Sequence, residues 1–356
     1  MTVRWGIIST ANIARGAFLP ALRVSGGGVA DAVAGRDAAR TAQWAAEHGV
    51  ARAVAGYQAL IEDPSVDALY IAVPNSLHAD LTIAALRAGK PVLCEKPLCG
   101  VLADTERVLS VAQETGTLLW EAFVFPFNEH MERIKSLIAD GAIGELREVQ
   151  SNFHFPVSRP ENIRFSAELQ GGALRDVGCY PVRLAQELFG EHSSAWAASV
   201  VGGGLGAGGE LGAGGGLGAG GRLGAGGELG AGGGPRAGGR LGVDVELWGS
   251  LGYQGDRRLL LSCGMRRSRD TFSRLLGTSG QIQVANLFHP GAADKVTLIP
   301  SSGEVTDFPA TADEPPFTPA LRHINAVLEG EAEPRLLAVE TSLITARALH
   351  DLAAAT

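Results

Sequence analysis

The segment Val3-Arg-Trp-Gly-Ile-Ile-Ser-Thr-Ala-Asn-Ile-Ala14 opens with an apolar run and then turns to small and polar residues. From its end onward, residues 12–24 carry apolar side chains at helical spacing. A short buried strand that leads directly into a helix is the unit from which parallel sheets are built. We therefore predict a strand at Val3–Ile8 and a helix at Asn12–Val24, joined by a tight turn.

The same unit repeats through the first 120 residues, which indicates a parallel sheet with helices on both faces. The further predicted strands are Val29–Ala34, Asp67–Val73, Pro91–Cys94 and Leu118–Phe123, and the further helices are Asp37–His48, Leu77–Ala88 and Val101–Glu114. Ligands of such sheets bind at the carboxyl ends of the strands, where the topology switches. We expect the segments that follow four of the strands to meet at that edge: Ser9–Asn12, Gly35–Arg36, Val73–Asn75 and Glu95–Pro97.

Beyond residue 122 the pattern changes to successive strands with few helices, which indicates a mostly antiparallel sheet in an α+β domain. Its predicted strands are Leu146–Pro156, Ala195–Val201, Val243–Leu251, Arg257–Cys263, Thr271–Leu276 and Gln281–Ala285, and its helices are Phe127–Ala139, Pro181–Phe189, Thr318–Leu328 and Leu337–Leu352. The predicted fold class is α/β, with a parallel-sheet domain at 1–122 and an α+β domain with a large open sheet at 123–356.

Glycine is concentrated in one stretch, because 22 of the 49 glycines fall between residues 201 and 240. There the unit Leu-Gly-Ala-Gly-Gly-Xaa starts at Leu205 and recurs four more times. A six-residue period can mark a β-helix, but each unit has too little apolar surface to offset the entropy of ordering it. We predict that residues 202–242 form a flexible Gly-rich insertion without chemistry of its own.

The overall composition is that of a globular protein, with 46% apolar and 19% charged residues. A net charge of −8 argues against a nucleic acid or an anionic membrane as partner, because both attract basic surfaces. The opening residues do not resemble a signal peptide, and no stretch reaches the length of a membrane span. The four cysteines show no C-x-x-C spacing, so we expect a cytoplasmic protein without a metal site.

The first turn, Ser9-Thr-Ala-Asn-Ile-Ala14, stands where a dinucleotide-binding fold has G-x-G-x-x-G, with small residues in place of the glycines. Such a turn lets a helix N-terminus approach a pyrophosphate, although any strand–helix turn can share this pattern. Arg36 follows the second strand, and an arginine there suits the 2′-phosphate of NADP. A surface arginine at the end of a loop is the alternative.

Lys96 follows a buried strand in the motif Glu95-Lys96-Pro97, and lysine is scarce in this chain, at four residues against 26 arginines. A partly desolvated lysine can hold a substrate hydroxyl and assist its deprotonation. An exposed ion pair at the end of a loop is the alternative.

Asp176 and Tyr180 lie four residues apart in Gly171-Gly-Ala-Leu-Arg-Asp-Val-Gly-Cys-Tyr180, so they share one face if the segment is helical. We expect a neighbouring lysine to lower the pKa of Tyr180 and make it a proton donor or acceptor. A half-buried packing role is the alternative for Tyr180.

These motifs, together with Asp67-Ala-Leu-Tyr-Ile-Ala-Val-Pro-Asn-Ser-Leu-His78 and Ala88-Gly-Lys-Pro-Val-Leu-Cys-Glu-Lys-Pro-Leu98, closely resemble the glucose–fructose oxidoreductase / inositol dehydrogenase (Gfo/Idh/MocA) family. The resemblance covers nearly the whole chain apart from the repeat. It implies an N-terminal Rossmann domain and a C-terminal domain whose open sheet covers the active site and forms oligomers. Tyr180, where inositol dehydrogenases have histidine, is similar to the sugar-oxidoreductase and dihydrodiol/xylose dehydrogenase branch.

The resemblance also implies roles for individual residues. The implied catalytic residues are Lys96 at the reacting hydroxyl, with a cis Lys96–Pro97 bond, and Asp176 and Tyr180, which orient the substrate and transfer the proton. The implied cofactor-binding residues are Ser9, Thr10, Ala11, Asn12, Ile13, Arg36, Val73, Pro74, Asn75, His78, Glu95, Lys96 and Pro97, and the substrate-binding residues are Phe123, Phe155, Arg164, Asp176 and Tyr180. Related proteins commonly read Arg-Phe-His where this chain has Pro126-Phe127-Asn128, so the resemblance does not identify the substrate.

The resulting hypothesis is an oxidoreductase that uses NADP(H), with NAD(H) as second choice, on a CH–OH or C=O carbon of a sugar, as an aldose 1-dehydrogenase does. One alternative is a reductase of nucleotide-linked ketosugars, with a basic groove formed by Arg159, Arg164, Arg266, Arg267 and Arg269. Another is a nonenzymatic NADP-binding regulator on the same fold. We expect a homodimer or homotetramer that assembles through the C-terminal sheet.

Overall fold

The computed structural model describes residues 2–202, 242–311 and 313–356. Fourteen strands and nine α-helices lie in these ranges. The predicted flexible insertion at 202–242 lies outside the described residues, apart from its first and last positions.

Six strands form the first sheet: β1 (Val3–Ile8), β2 (Gly28–Gly35), β3 (Arg52–Ala55), β4 (Ala68–Ile71), β5 (Val92–Cys94) and β6 (Leu119–Glu121). All neighbours pair in parallel, in the order β3-β2-β1-β4-β5-β6. The chain builds outward from β1 to β3 and then crosses back to β4, so the topology switches between β1 and β4. The predicted parallel Rossmann sheet is confirmed.

Five helices accompany this sheet: α1 (Leu19–Ser25), α2 (Ala38–His48), α3 (Tyr57–Ile61), α4 (His78–Arg87) and α5 (Leu102–Thr115). A π-helical turn at Ala14–Phe18 precedes α1, and the Asp37 side chain caps α2 by accepting the N–H of Arg40 at 2.8 Å. The sequence pattern predicts neither β3, which lacks a continuous apolar run, nor α3, whose five residues are too few to show a helical period.

The central strands are buried on both faces, as their continuous apolar runs require. Ile7 and Tyr70 pack on one side with Phe18, which precedes α1. Ile8 and Ile71 pack on the other side, against α3, α4 and α5. Polar side chains that act on a ligand can therefore lie only at the ends of these strands.

Eight strands form the second sheet: β7 (Leu146–His154), β8 (Ser194–Gly202), β9 (Val243–Tyr253), β10 (Arg257–Gly264), β11 (Ser273–Gly277), β12 (Gly280–Val284), β13 (Lys295–Pro300) and β14 (Thr306–Pro309). Their order is β14-β13-β12-β11-β7-β10-β9-β8, and the described neighbours are antiparallel except for β7 and β10. The predicted mostly antiparallel sheet is confirmed, while β13 and β14 are additional.

One face of this sheet is covered and the other is open. Helix α7 (Cys179–Phe189) packs against β7 and β10, and α6 (Glu129–Ala139) against β13. Along β9, Val245 and Leu247 point into this core, whereas Trp248 points to the open face.

The two last helices connect the domains. Helix α8 (Thr318–Leu328) packs against α1, where the Trp5 indole N–H donates to Asn325 Oδ1 at 2.9 Å. Helix α9 (Ala338–Ala354) packs against both α5 and α7. The C-terminal end of the chain thus contributes to the core of the first domain, and the division at residue 122 stays a prediction.

Within the three described ranges, no helix has both the length and the apolar character that a membrane span needs. All four cysteines lie in these ranges, and each is a buried free thiol.

Candidate active site

The first turn has a glycine-like backbone without a glycine. Ser9, directly after β1, has a φ of 105°, in the region that glycine adopts readily and other residues rarely. Its N–H donates to the Ala34 carbonyl of β2 at 2.8 Å, and Ala14 is fully buried where the helix begins. The small residues of this turn therefore adopt the backbone conformation that glycines usually provide in a dinucleotide-binding turn.

Gly35 and Arg36 lie beside this turn, at the end of β2. A Cβ on Gly35 would lie 2.3 Å from Thr41 Oγ1, so a larger residue would force Thr41 to move. Arg36 is exposed. Its guanidinium is thus accessible next to the first turn, which the sequence predicts to bind the cofactor.

Lys96 and Asp176 come from different domains and meet beyond the carboxyl end of β5. Lys96 Nζ donates to the backbone oxygen of Asp176 at 2.6 Å and lies 3.5 Å from its Oδ1. Arg164 Nε donates to the other carboxylate oxygen at 2.6 Å. Two cations thus hold one carboxylate, and three predicted site residues lie in contact.

Tyr180 lies beside this ion pair, in the first turn of α7 and one turn after Asp176, which is in a π-helical turn at Leu174–Gly178. Lys96 Nζ lies 5.0 Å from the centroid of the Tyr180 ring. The Tyr180 hydroxyl lies 3.3 Å from Nε2 of His289. His289 belongs to the loop between β12 and β13, which no sequence motif singles out.

The two charged groups of the site keep their charges. Burial disfavours the charge on Lys96, but the neighbouring Tyr180 oxygen and Asp176 carboxylate favour it, and its pKa is raised above the ordinary lysine value. Burial likewise opposes the Asp176 carboxylate, but Lys96 and Arg164 outweigh it and lower its pKa. The site therefore presents an ammonium and a carboxylate at neutral pH.

Tyr180 differs from the sequence-based expectation. Burial raises the pKa of its phenol, and the opposing effect of the Lys96 ammonium is smaller, so the net shift is upward. The expectation that the lysine lowers this pKa overall is wrong, because it left out desolvation. Tyr180 accordingly holds its proton at neutral pH.

His289 is neutral for a related reason. Burial lowers its pKa to about 4, and the positive charges of Lys96 and Arg269 act in the same direction. The imidazole beside Tyr180 is therefore uncharged near pH 7.

Aromatic rings surround Tyr180 and account for its desolvation. The centroids of four phenylalanine rings lie 5.1–6.4 Å from its own, namely Phe123, Phe125, Phe153 and Phe288. Phe155 lies one step outward, 5.5 Å from the guanidinium of Arg164. Of the predicted substrate residues, Phe123 packs on Tyr180, and Phe155 packs on the arginine that binds Asp176.

The Glu-Lys-Pro turn is held from behind by buried carboxyl groups. Tyr70 donates its hydroxyl to Glu95 Oε1 at 2.6 Å, and burial raises the pKa of Glu95. Glu121 accepts the N–H of Leu98 at 2.7 Å and the hydroxyl of Ser342, on α9, at 2.6 Å. The Lys96–Pro97 bond between them is cis, as the resemblance implies.

His78 is buried between two of the turns of the site. It is fully buried, and its two ring nitrogens lie 3.0 Å from the Pro97 carbonyl oxygen and 2.9 Å from that of Val73. Its side chain joins two of the site's turns, and its part in cofactor binding stays a prediction.

Asn75, by contrast, reaches across the cleft, where its Nδ2 donates to the backbone oxygen of Gln170 at 2.9 Å. As predicted, four segments follow strands of one parallel sheet at the same edge: Ser9–Asn12, Gly35–Arg36, Val73–Asn75 and Glu95–Pro97. Their contacts with a cofactor stay a prediction. Among the described residues, no group of three His, Cys, Asp or Glu side chains is arranged to hold a metal ion.

Two family models match the chain, and together they span most of it. The model described as "Oxidoreductase family, NAD-binding Rossmann fold" matches residues 3–123. The model described as "GFO/IDH/MocA C-terminal domain" matches residues 131–283.

Two curated relatives act on sugars. The chain is 44% identical over 188 residues to dTDP-3,4-didehydro-2,6-dideoxy-alpha-D-glucose 3-reductase of Streptomyces violaceoruber, over 53% of this chain and 55% of that protein. It is 39% identical over 196 residues to D-xylose 1-dehydrogenase (NADP(+)) 2 of Haloferax volcanii, over 55% of this chain and 60% of that protein. The matches thus span little more than half the length of these relatives.

A solved structure resembles the chain over its full length. It is a 3-ketoreductase from Actinomadura kijaniata in complex with NADP and TDP-benzene, which is 27% identical with a TM-score of 0.81. The superposition covers 100% of this chain and 98% of that one.

Proposed function

Because this chain belongs to the Gfo/Idh/MocA oxidoreductase family, we propose that it transfers hydride between a nicotinamide cofactor and a CH–OH or C=O carbon of a sugar-like substrate. The observation that carries the proposal is the contact of Lys96 and Asp176 beside Tyr180, at the carboxyl edge of the parallel sheet. This edge is where such folds bind dinucleotides.

The residues at the first turn fit a dinucleotide. The backbone at Ser9 takes a glycine-like conformation, Gly35 leaves no side chain beside it, and the exposed Arg36 offers a cation for a 2′-phosphate. We therefore propose NADP(H) as the preferred cofactor, with NAD(H) possible. When bound, the nicotinamide supplies or accepts the hydride.

The cofactor preference is tested by replacing Arg36 with alanine. We expect the Arg36→Ala variant to bind NADPH at least tenfold more weakly and NADH with unchanged affinity, because only NADPH carries the 2′-phosphate. Dissociation constants from quenching of protein fluorescence measure this, with Arg40→Ala, exposed in helix α2, as the control. Equal losses for both cofactors, or a wild-type preference for NADH, would contradict the assignment.

The chain's own residues supply the proton and hold the reacting oxygen. The protonated Tyr180 donates to a carbonyl oxygen during reduction, and the Lys96 ammonium stabilises the negative charge that develops there. Asp176 keeps Lys96 charged and in place. A tyrosine that retains its proton at neutral pH is in the form that an acid needs for reduction of a carbonyl group.

For the substrate we favour a nucleotide-linked ketosugar over a free aldose. The relative with 44% identity is a reductase of a dTDP-linked ketosugar. In this chain Arg267 pairs with Glu246 and Arg164 with Asp176, while Arg159, Arg266 and Arg269 are exposed. These three exposed arginines are available for a diphosphate, on an otherwise acidic protein.

An aldose 1-dehydrogenase is the second candidate. The NADP-dependent D-xylose 1-dehydrogenase relative supports it, with 39% identity over a similar length. The two candidate functions use Lys96, Asp176 and Tyr180 in the same way. They differ only in the sugar and in the direction of the reaction.

Initial rates against a panel of substrates decide between these functions. The panel contains free aldoses, free ketoses and dTDP-linked ketosugars, each with NADP(H) and with NAD(H). We expect turnover of a dTDP-linked ketosugar with NADPH that falls at least 100-fold in Tyr180→Phe. Turnover of aldoses alone selects the second candidate, and tight NADPH binding without any turnover indicates a nonenzymatic regulator.

Assembly and location follow as further parts of the proposal. The open face of the second sheet carries exposed Trp196, Trp248 and Leu260, and a second copy of the chain is the proposed partner that covers them. The four free buried thiols are in keeping with a reducing, cytoplasmic location.

A further inference from the structure

Among the described hydrogen bonds, the Tyr180 hydroxyl has one partner, Nε2 of His289 at 3.3 Å. The rings also pack edge to face, with centroids 5.3 Å apart. None of the motifs includes His289, which lies 109 residues beyond Tyr180.

The loop that carries His289 is held firmly in place. Phe288 is fully buried and stacks on Phe153, with ring centroids 5.7 Å apart. On the other side, the Asn286 amide donates to the His289 backbone oxygen and to Asp294 Oδ2. These contacts fix the backbone at His289, and so they hold its imidazole in place against Tyr180.

We propose that His289 is the positioning residue of the acid, with its Nε2–H donating to Tyr180 Oη. This inference rests on the proposed function, and it assigns a residue and a hydrogen bond to that same site. The proposed function requires the Oη–H of Tyr180 to face the substrate, so the proton of the 3.3 Å contact is assigned to Nε2 of His289.

The donated hydrogen bond has a direct consequence for proton transfer. With Oη accepting from His289, the phenol's own hydrogen is left to point at the substrate. During reduction the carbonyl carbon receives hydride, the Oη–H bond breaks, and that proton forms the new O–H bond of the product. The phenolate that remains accepts the same hydrogen bond in charge-assisted, stronger form, so His289 stabilises the charge produced in the transition state.

The hydrogen bond can be tested without any turnover. In ¹⁵N-histidine-labelled protein, comparison with His289→Gln assigns the His289 signals among those of the eight histidines. We expect Nε2 to resonate as a protonated nitrogen, and its signal to move in Tyr180→Phe. An unprotonated Nε2, or identical spectra with and without the Tyr180 hydroxyl, would overturn the proposal.

The kinetic test uses two variants at the same position. His289→Phe keeps a ring without a donor, and we expect kcat to fall about 10–100-fold with the KM for NADPH within twofold of wild type. His289→Gln carries an amide N–H that can reach the place of Nε2, and we expect it to recover most of that loss. The control is His350→Gln, an exposed position on α9.

The outcomes separate this inference from the proposed function. A His289→Phe enzyme with wild-type kcat, or a His289→Gln enzyme no better than His289→Phe, refutes the role of His289 while leaving Tyr180 as the acid. A Tyr180→Phe enzyme with full activity refutes the proposed function itself, and the spectra still report whether the hydrogen bond exists.

Discussion

At the scale of single residues, the candidate site combines one fixed charge pair with one protonated phenol. Lys96 and Asp176 hold each other's charged forms, because each lies in a buried setting where an unpaired charge would be costly. Tyr180 is surrounded by phenylalanine rings, and the same desolvation keeps it neutral. Burial disfavours the charged form of all three groups, but only Lys96 and Asp176 have oppositely charged neighbours that outweigh it.

Removal of the Lys96 ammonium is expected to affect turnover more than cofactor binding. In Lys96→Ala we expect kcat to fall about 100-fold or more, because the oxygen of the transition state loses its nearest cation. NADPH affinity changes far less, since the first turn and Arg36 lie apart from this contact. Steady-state rates and fluorescence titration measure both.

Lys295→Ala is the matched control for Lys96→Ala. Lys295, the first residue of β13, is exposed and pairs with Asp307 on the neighbouring strand, so its side chain belongs to a surface ion pair. Wild-type turnover in Lys96→Ala, or equal losses in the two variants, would remove Lys96 from the mechanism.

His289 makes the stability of the fold depend on pH in a defined direction. Its pKa is about 4 in the folded state against about 6.5 when unfolded, so the unfolded chain binds more protons between these values. The free energy of unfolding therefore falls as pH drops from 6.5 to 4 and is unaffected above that window.

Comparison with His289→Gln isolates this effect. Between pH 7.5 and pH 4.5 we expect the wild type to lose about 2 kcal/mol more unfolding free energy than the variant. Urea denaturation at the two pH values measures the difference, and other titrating groups cancel because both proteins contain them. Parallel losses in the two proteins would mean that His289 titrates normally in the folded state.

At the scale of elements, the turn between β1 and the first helix keeps the path of a G-x-G-x-x-G turn with other small residues in place of the glycines. The serine at position 9 takes a φ of 105° and bonds to β2, so the path of the turn is retained at a conformational cost. The neighbouring helices then present their N-termini to the same edge of the sheet.

Restoring glycine at this position is expected to stabilise the protein. We expect Ser9→Gly to raise the free energy of unfolding by about 1 kcal/mol, because strain is relieved and the added freedom of the unfolded chain offsets part of the gain. Urea denaturation measures it. Thr10→Gly serves as the control, since Thr10 is not among the residues of positive φ and the change there should destabilise by about 0.5–1 kcal/mol. A loss of stability in Ser9→Gly would show that the turn is unstrained.

At the scale of the whole molecule, the two domains are joined by the last two helices and across the cleft itself. Helix α9 reaches the Glu-Lys-Pro turn through Ser342 and Glu121, and Lys96 bonds to Asp176 of the other domain. The site is thus assembled only when both domains are folded and docked.

The open sheet face is the proposed contact with a second copy. Trp196, Ser250 and Leu260 lie abreast on β8, β9 and β10, with Trp248 one step along the face. Exposed fractions of 56% for Trp196 and 39% for both Trp248 and Leu260 leave a large apolar area that a partner would cover.

A charge in this area is expected to break the assembly. We expect Trp248→Glu to shift the protein from dimer or tetramer to monomer, because pairing would bury an uncompensated carboxylate. Sedimentation velocity measures the mass, with Gln43→Glu on exposed helix α2 as the control. A wild-type protein that sediments as a monomer, or an unchanged mass in Trp248→Glu, would contradict assembly through this face.

Local sequence patterns predict the strands, helices and motifs, because these depend on residues that are close together in the chain. Apolar periodicity predicts the parallel sheet, the mostly antiparallel second sheet and the helix at Thr318–Leu328, and short motifs identify Lys96, Asp176 and Tyr180. Strand β3 is not predicted, because it lacks the continuous apolar run that identifies the other short strands of the parallel sheet.

Only the tertiary structure decides what depends on distant residues. The contact of Lys96 with Asp176 joins positions 80 apart, and that of Tyr180 with His289 joins positions 109 apart. The protonation of Tyr180 depends on burial by rings from several elements, so its upward pKa shift could not be read from the neighbouring lysine alone. The motifs therefore identify the residues that carry the chemistry. The protonation state of Tyr180 and its contact with His289 depend on how distant segments pack.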